Sequence, residues 1–141
     1  MMDKDKGFGF LEIQHTADWA LRVWAPDIPG LFQQAALGMY SLIEVELLPG
    51  DEVERRIQLS AGDPESLLVA FLDELLFLVE QERMAFDRID LGFPLRENDL
   101  IGEMRGRFIS GQRKEIKAVT YHDLQIRRSD AGYETTIVFD V

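Results

Sequence analysis

Two short stretches of this chain are polar enough, and placed well enough, to carry chemistry. His15-Thr16-Ala17-Asp18 stands between two apolar runs, and the last residues are Phe139-Asp140-Val141. Side chains of an extended strand alternate between its two faces. Tyr133, Thr135, Ile137, Phe139 and Val141 therefore share one face, while Asp140 shares the other with Thr136 and Val138. The α-carboxylate of Val141 then lies within one residue of the Asp140 side chain. Two such anions repel unless a cation or a hydrogen-bond donor sits between them. Adding Asp18 gives three hard oxygen ligands, a set suited to calcium, magnesium or manganese. A plainer reading stands beside this one, with Asp18 as a cap and Asp140 as a solvated strand end. A third stretch, Lys117-Ala118-Val119-Thr120-Tyr121-His122-Asp123, sets a lysine, an aromatic ring and an imidazole together. Its plain reading is an ordinary strand with an exposed lysine and a hydrogen-bonded histidine.

Other chemistries are excluded or unmarked. The chain has no cysteine, so disulfides, thiolate catalysis and cysteine-bound zinc are out. With only two histidines, His15 and His122, a histidine-rich metal site is impossible. No P-loop occurs, Gly7-Phe8-Gly9 lacks the third glycine of a dinucleotide fingerprint, and no Gly-x-Ser-x-Gly elbow exists. The net charge of -11 comes from 26 acidic and 15 basic residues. A field of that sign repels phosphate backbones, so strong direct nucleic-acid binding is not expected, whereas cations and basic protein surfaces are favoured.

These residues need elements to position them. The 141 residues suit one domain, 1–141, and 46% hydrophobic content is enough for a core. Phe8 to Gln14 and Trp19 to Trp24 read as strands, the second with Trp19, Leu21 and Val23 on one face and Ala20, Arg22 and Trp24 on the other. Asp27 caps a helix running to Ile43, with Pro29 in its first turn and a stripe of Leu31, Phe32, Ala35, Ala36 and Met39. Pro49-Gly50-Asp51 turns into a strand from Val53 to Ser60. Asp63 and Pro64 open a second helix, whose face is Leu68, Phe71, Leu72, Leu75, Leu76 and Val79. Phe86 to Phe93, Asp99 to Ile109, Ala118 to Arg128 and Tyr133 to Val141 read as strands, with a hairpin turn at Asp130-Ala131-Gly132. The expected class is α+β, two helices packed on a mixed or antiparallel sheet. The charged start, Met1 to Lys6, lacks the apolar region of a signal peptide, and Leu67 to Val79 is broken by Asp73 and Glu74. That run falls short of the ~20 apolar residues a bilayer span needs. A cytoplasmic protein with no membrane partner is expected.

Taken together, these segments resemble the archease family over nearly the whole chain. The resemblance rests on His15-Thr16-Ala17-Asp18, on Leu31-Phe32-Gln33-Gln34-Ala35-Ala36, and on Leu72-Asp73-Glu74-Leu75-Leu76-Phe77-Leu78. Its sharpest parts are Lys117-Ala118-Val119-Thr120-Tyr121-His122 and the terminal Phe139-Asp140-Val141. One local departure is Asp27-Ile28-Pro29-Gly30, where the family more often has an acidic turn. The resemblance implies a small α+β protein, not itself an enzyme, that assists the RtcB-class RNA ligase in tRNA splicing. It implies promotion of the ligase's guanylylation, and hence of multiple turnover. It also implies a divalent cation held by Asp18, Asp140 and Val141. His15, Lys117 and His122 are candidates for support of that tip or for contact with the partner. Two rival readings remain open on the residues alone. One is a divalent-metal hydrolase using Asp18 and Asp140, with His15 or His122 as its base. The other is a general chaperone or modulator of an RNA-modifying enzyme.

Overall fold

The computed structural model describes residues 7–14, 18–93 and 98–141. In chain order the elements are β1 (Gly9–Gln14), β2 (Asp18–Ala25), α1 (Ile28–Ile43), β3 (Val45–Leu47), β4 (Val53–Ser60) and α2 (Pro64–Glu82). Then follow β5 (Met84–Gly92), β6 (Asp99–Gln112), β7 (Ala118–Val119), β8 (Arg127–Ser129) and β9 (Gly132–Asp140).

Both helices start as their sequences dictate. The Asp27 carboxylate accepts the Gly30 N–H at 2.7 Å, and the Asp63 carboxylate accepts the Ser66 N–H at 2.7 Å. Each satisfies a backbone donor that the first helical turn leaves without a partner. Ser66 holds the Asp63 carboxyl below its ordinary range. Both helices stop on a left-handed residue, Glu44 and Arg83.

The strands form two antiparallel sheets rather than the one sheet expected. The first is ordered β1-β2-β9-β7, with β8 also on β9; the second is ordered β3-β6-β4, with β5 also on β6. Helix α1 lies on the first sheet and α2 on the second, and the helices meet where the Phe32 and Phe71 rings pack 5.7 Å apart. Gly38 permits the close approach of α1 to β2, because a Cβ there would stand 2.6 Å from Leu21 Cδ2. The alternation read in β2 holds, with Leu21 and Val23 fully buried beneath α1.

The expected strand from Ala118 to Arg128 is two short strands separated by a turn. The Thr120 hydroxyl stops the ladder. It donates to the Val138 carbonyl at 3.0 Å and accepts the His122 N–H at 3.2 Å. The turn closes with Leu124 N–H donating to Tyr121 O and with Asp123 at φ 51. Such local bonds from a threonine side chain compete with strand pairing.

Both helices and both sheets contribute to one apolar core, with Leu72 at 0% exposure near its middle. Leu72→Ala should remove about 2–5 kcal/mol of stability through the cavity it leaves. Urea unfolding checks this. A loss under ~1 kcal/mol would mean the core collapses around the gap far more freely than buried leucine sites do.

Candidate functional site

Asp18 opens β2 and Asp140 closes β9, and the antiparallel register sets them directly opposite each other. Residues so paired have Cα atoms roughly 4.5–5.5 Å apart and side chains on the same face. The two aspartates come together although they stand near opposite ends of the sequence. Both are exposed. On the far side of Asp140 the partner is Ala118 of β7.

Three features fix this end of the sheet. The Lys117 main-chain N–H donates to the Asp140 carbonyl at 2.8 Å. Val119 pairs with Phe139, and Thr120 holds Val138 through both its N–H and its hydroxyl at 3.0 Å. Val141 packs its side chain against the core from the face opposite Asp140. The Asp140 backbone is thus held from β2 and β7 at once, while its side chain stays in solvent.

The electrostatics of the pair differ from those of a second acid pair in the same molecule. Asp90 and Glu103 also face each other across strands, but Glu103 has Arg56 at 3.6 Å. Among the described residues, no ion pair involves Asp18 or Asp140. Like charges directly opposite on neighbouring strands destabilise a sheet. A divalent cation between them would reverse that sign, and two carboxylates suit a hard ion. No group of three His, Cys, Asp or Glu side chains is placed to hold a metal among the described residues. The third ligand of the expected set is a main-chain carboxylate, which is not a side chain of those types.

The other expected residues fall as follows. Lys117 is exposed beside the pair and contributes its backbone to the tip. His122 lies on the turn after β7, its Nε2 at 3.3 Å from Asp123 Oδ2, with both side chains exposed. His15 lies outside the described residues, as do Thr16 and Ala17. Ala118 and Thr120 were not singled out as site residues. The signal for Thr120 was present, a hydroxyl residue immediately before the polar cluster Tyr121-His122-Asp123.

Residues 10–141 match the sequence profile of the Archease protein family (MTH1598/TM1083). The chain belongs to the archease family. It is 32% identical to Protein archease of Methanosarcina mazei, with all of both chains covered, and 34% identical to that of Methanopyrus kandleri over 92% of this chain and 97% of the relative. Two solved archease-type structures share the fold. The solution structure of Methanobacterium thermoautotrophicum Protein 1598 superposes with a TM-score of 0.71 at 28% identity, covering 96% of this chain and 99% of that one. The crystal structure of an archease, described as a possible chaperone, from Thermotoga maritima gives 0.70 at 25% identity, covering 92% and 94%. The archease fold thus accounts for both helices and both sheets. No helix among the described residues is long and apolar enough to cross a membrane.

Proposed function

We propose that this member of the archease family is a protein cofactor without catalytic activity of its own. Its partner is an RtcB-class RNA ligase of tRNA splicing, whose guanylylation and multiple turnover it promotes. It does so through a divalent cation, calcium, magnesium or manganese, held at Asp18, Asp140 and the α-carboxylate of Val141. The observation that carries the site is the register that sets Asp18 opposite Asp140 on an exposed strand end. Family membership supports a modulator role, and the net charge of -11 suits a basic, RNA-binding protein surface.

Each residue has a defined task. The two aspartates supply anionic oxygens on one face of the sheet. The Lys117 backbone and the Val141 side chain hold the strand end still, so little order must be gained on binding. The bound ion supplies positive charge that can neutralise and orient phosphate oxygens. The hydrolase alternative has less support, since the His122 imidazole lies on the turn beyond β7 beside Asp123, and His15, its other candidate base, lies outside the described residues.

The test is RNA ligation by the ligase under multiple-turnover conditions, with and without this chain, and the chain alone with RNA ends and generic phosphoesters. The expected outcome is stimulation of the ligase and no turnover by the chain alone. Equal ligase turnover in both arms removes the proposal, and phosphoester cleavage lost on Asp18→Asn substitutes the hydrolase reading for it. A Gly-Ser-Gly tail appended after Val141 should abolish stimulation too. The tail converts the α-carboxylate into an amide and moves the new terminus away from Asp140. If tailed protein supports full multiple turnover with saturating divalent ion, the terminal carboxylate is not a ligand.

A further inference from the structure

The first sheet has a second face, opposite α1, that the proposed function does not yet use. Register assembles it in rungs. Leu11, Arg22 and Thr136 form one rung; Ile13, Ala20 and Val138 form the next; Asp18, Asp140 and Ala118 form the end. Helix α1 lies on the other face, over Leu21 and Val23. On this face Leu11 is 36% exposed, and Ile13 and Val138 are half-buried around the small floor residue Ala20. An apolar patch of Leu11, Ile13, Ala20 and Val138 therefore lies directly beside the aspartate pair.

The charges on this face give it a direction. At the far end Arg22 and Glu134 neutralise each other at 2.7 Å. At the near end the two aspartates form no ion pair with any described residue. The face thus carries an apolar patch of Leu11, Ile13, Ala20 and Val138, with a neutralised ion pair at one end and a negative pair at the other. Its complement is a protein surface with apolar side chains bordered on one side by basic ones. A membrane or nucleic acid fits poorly, because the chain's net charge of -11 opposes phosphate.

We infer that this outer face, centred on Leu11, Ile13 and Val138, is the docking surface for the basic face of the partner ligase. The acidic end points into the partner's cationic site, while the apolar rungs lie alongside it. This rests on the proposed function for the identity of the partner, and extends it from the ion site to the surface that holds the complex. Apolar contact supplies affinity at the centre, and the aspartates set orientation.

The experiment measures the dissociation constant of the full-length chain for the ligase by titration calorimetry, once with divalent ion and once in chelator. The chelator arm reads the face without the ion site. Leu11→Arg and Val138→Lys should each weaken binding about 30-fold or more in both arms, the loss of a central contact worth roughly 2 kcal/mol or more. Leu11→Ser, which adds no charge, should weaken it by a smaller factor and guards against misfolding of the arginine variant. Phe108→Arg is the control, since Phe108 is an exposed apolar residue on the second sheet at 46% exposure. It should bind within about 3-fold of the unaltered chain. Outer-face variants that bind like the unaltered chain, or a Phe108→Arg effect as large as theirs, overturn the docking surface and leave the proposed function standing. A Leu11→Arg change that separates a dimer of this chain while ligase affinity holds assigns the face to self-pairing, and likewise overturns it. No association by the unaltered chain overturns the proposed function and the docking surface together.

Discussion

Gly106→Ala is expected to destabilise the chain severely, although it adds only one methyl group. Gly106 lies in the middle of β6, buried and paired on one side with Val53 and on the other with Phe86. Strand β5 shifts register at this point, between Phe86 and Arg88, and its backbone bulges toward Gly106. A Cβ at 106 would collide with the Ala85 carbonyl oxygen and stand 2.6 Å from Phe86 Cα. The three nearest atoms are all backbone, so no rotamer change relieves the clash. Overpacking ordinarily costs ~1–3 kcal/mol because side chains give way. Here the sheet itself must separate, and a loss above ~3 kcal/mol is expected against a total of roughly 5–15 kcal/mol. Gly102→Ala provides the graded comparison. Its new Cβ would stand 2.6 Å from Leu91 Cδ2, which can rotate, and 2.9 Å from Asp90 O. Urea unfolding of both variants tests the account. Equal losses would show that the bulge in β5 is free to move.

The contrast between these glycines shows where sequence reading runs out. Nothing in Asp99 to Ile109 marks Gly106 above Gly102, because the bulge that crowds it belongs to β5. The helices were legible because two independent signals agreed in each. Asp63-Pro64 gave the start of α2, and Leu68, Leu72, Leu75 and Val79 gave its buried face. The faces of β2 and β9 were legible for the same reason, since β9 alternates in burial and the β2 residues Leu21 and Val23 lie under a helix. Strand β3 was not seen, because three residues with exposed Glu46 and Leu47 carry no alternation. The division into two sheets was also hidden, since pairing partners are long-range choices that composition does not encode. The same limit applied to the site. Strand alternation placed Asp140 on a face with Thr136 and Val138, but only the β2–β9 register places Asp18 opposite it. In the Thr120 turn one hydroxyl group bonded to its neighbours ends the strand.

Asp140→Asn and Asp18→Asn are expected to remove all stimulation of ligase turnover while leaving the fold intact. Asparagine keeps the shape of the side chain and one carbonyl oxygen but loses the charge that attracts a hard cation. Divalent-ion affinity should fall about 100-fold or more, since loss of even an outer-shell partner typically costs roughly 10–100-fold. The stability readout should move in the opposite direction from that of a structural residue. In chelator, each variant should be as stable as the unaltered chain or slightly more so, because two like charges no longer face each other across β2 and β9. With ion at ~100 times its dissociation constant, the unaltered chain should gain about 2.7 kcal/mol, and the variants little of that. Asp90→Asn serves as the control. It breaks a cross-strand acid pair too, but one that already has Arg56 beside Glu103 at 3.6 Å. It should change neither ion binding nor ligation. The two readouts separate two ways of being wrong. Variants that lose stimulation but melt earlier in chelator would make the aspartates structural. Variants that keep the ion-dependent rise in melting temperature while losing stimulation would move the ion elsewhere and leave Asp18 and Asp140 as direct contacts to the partner.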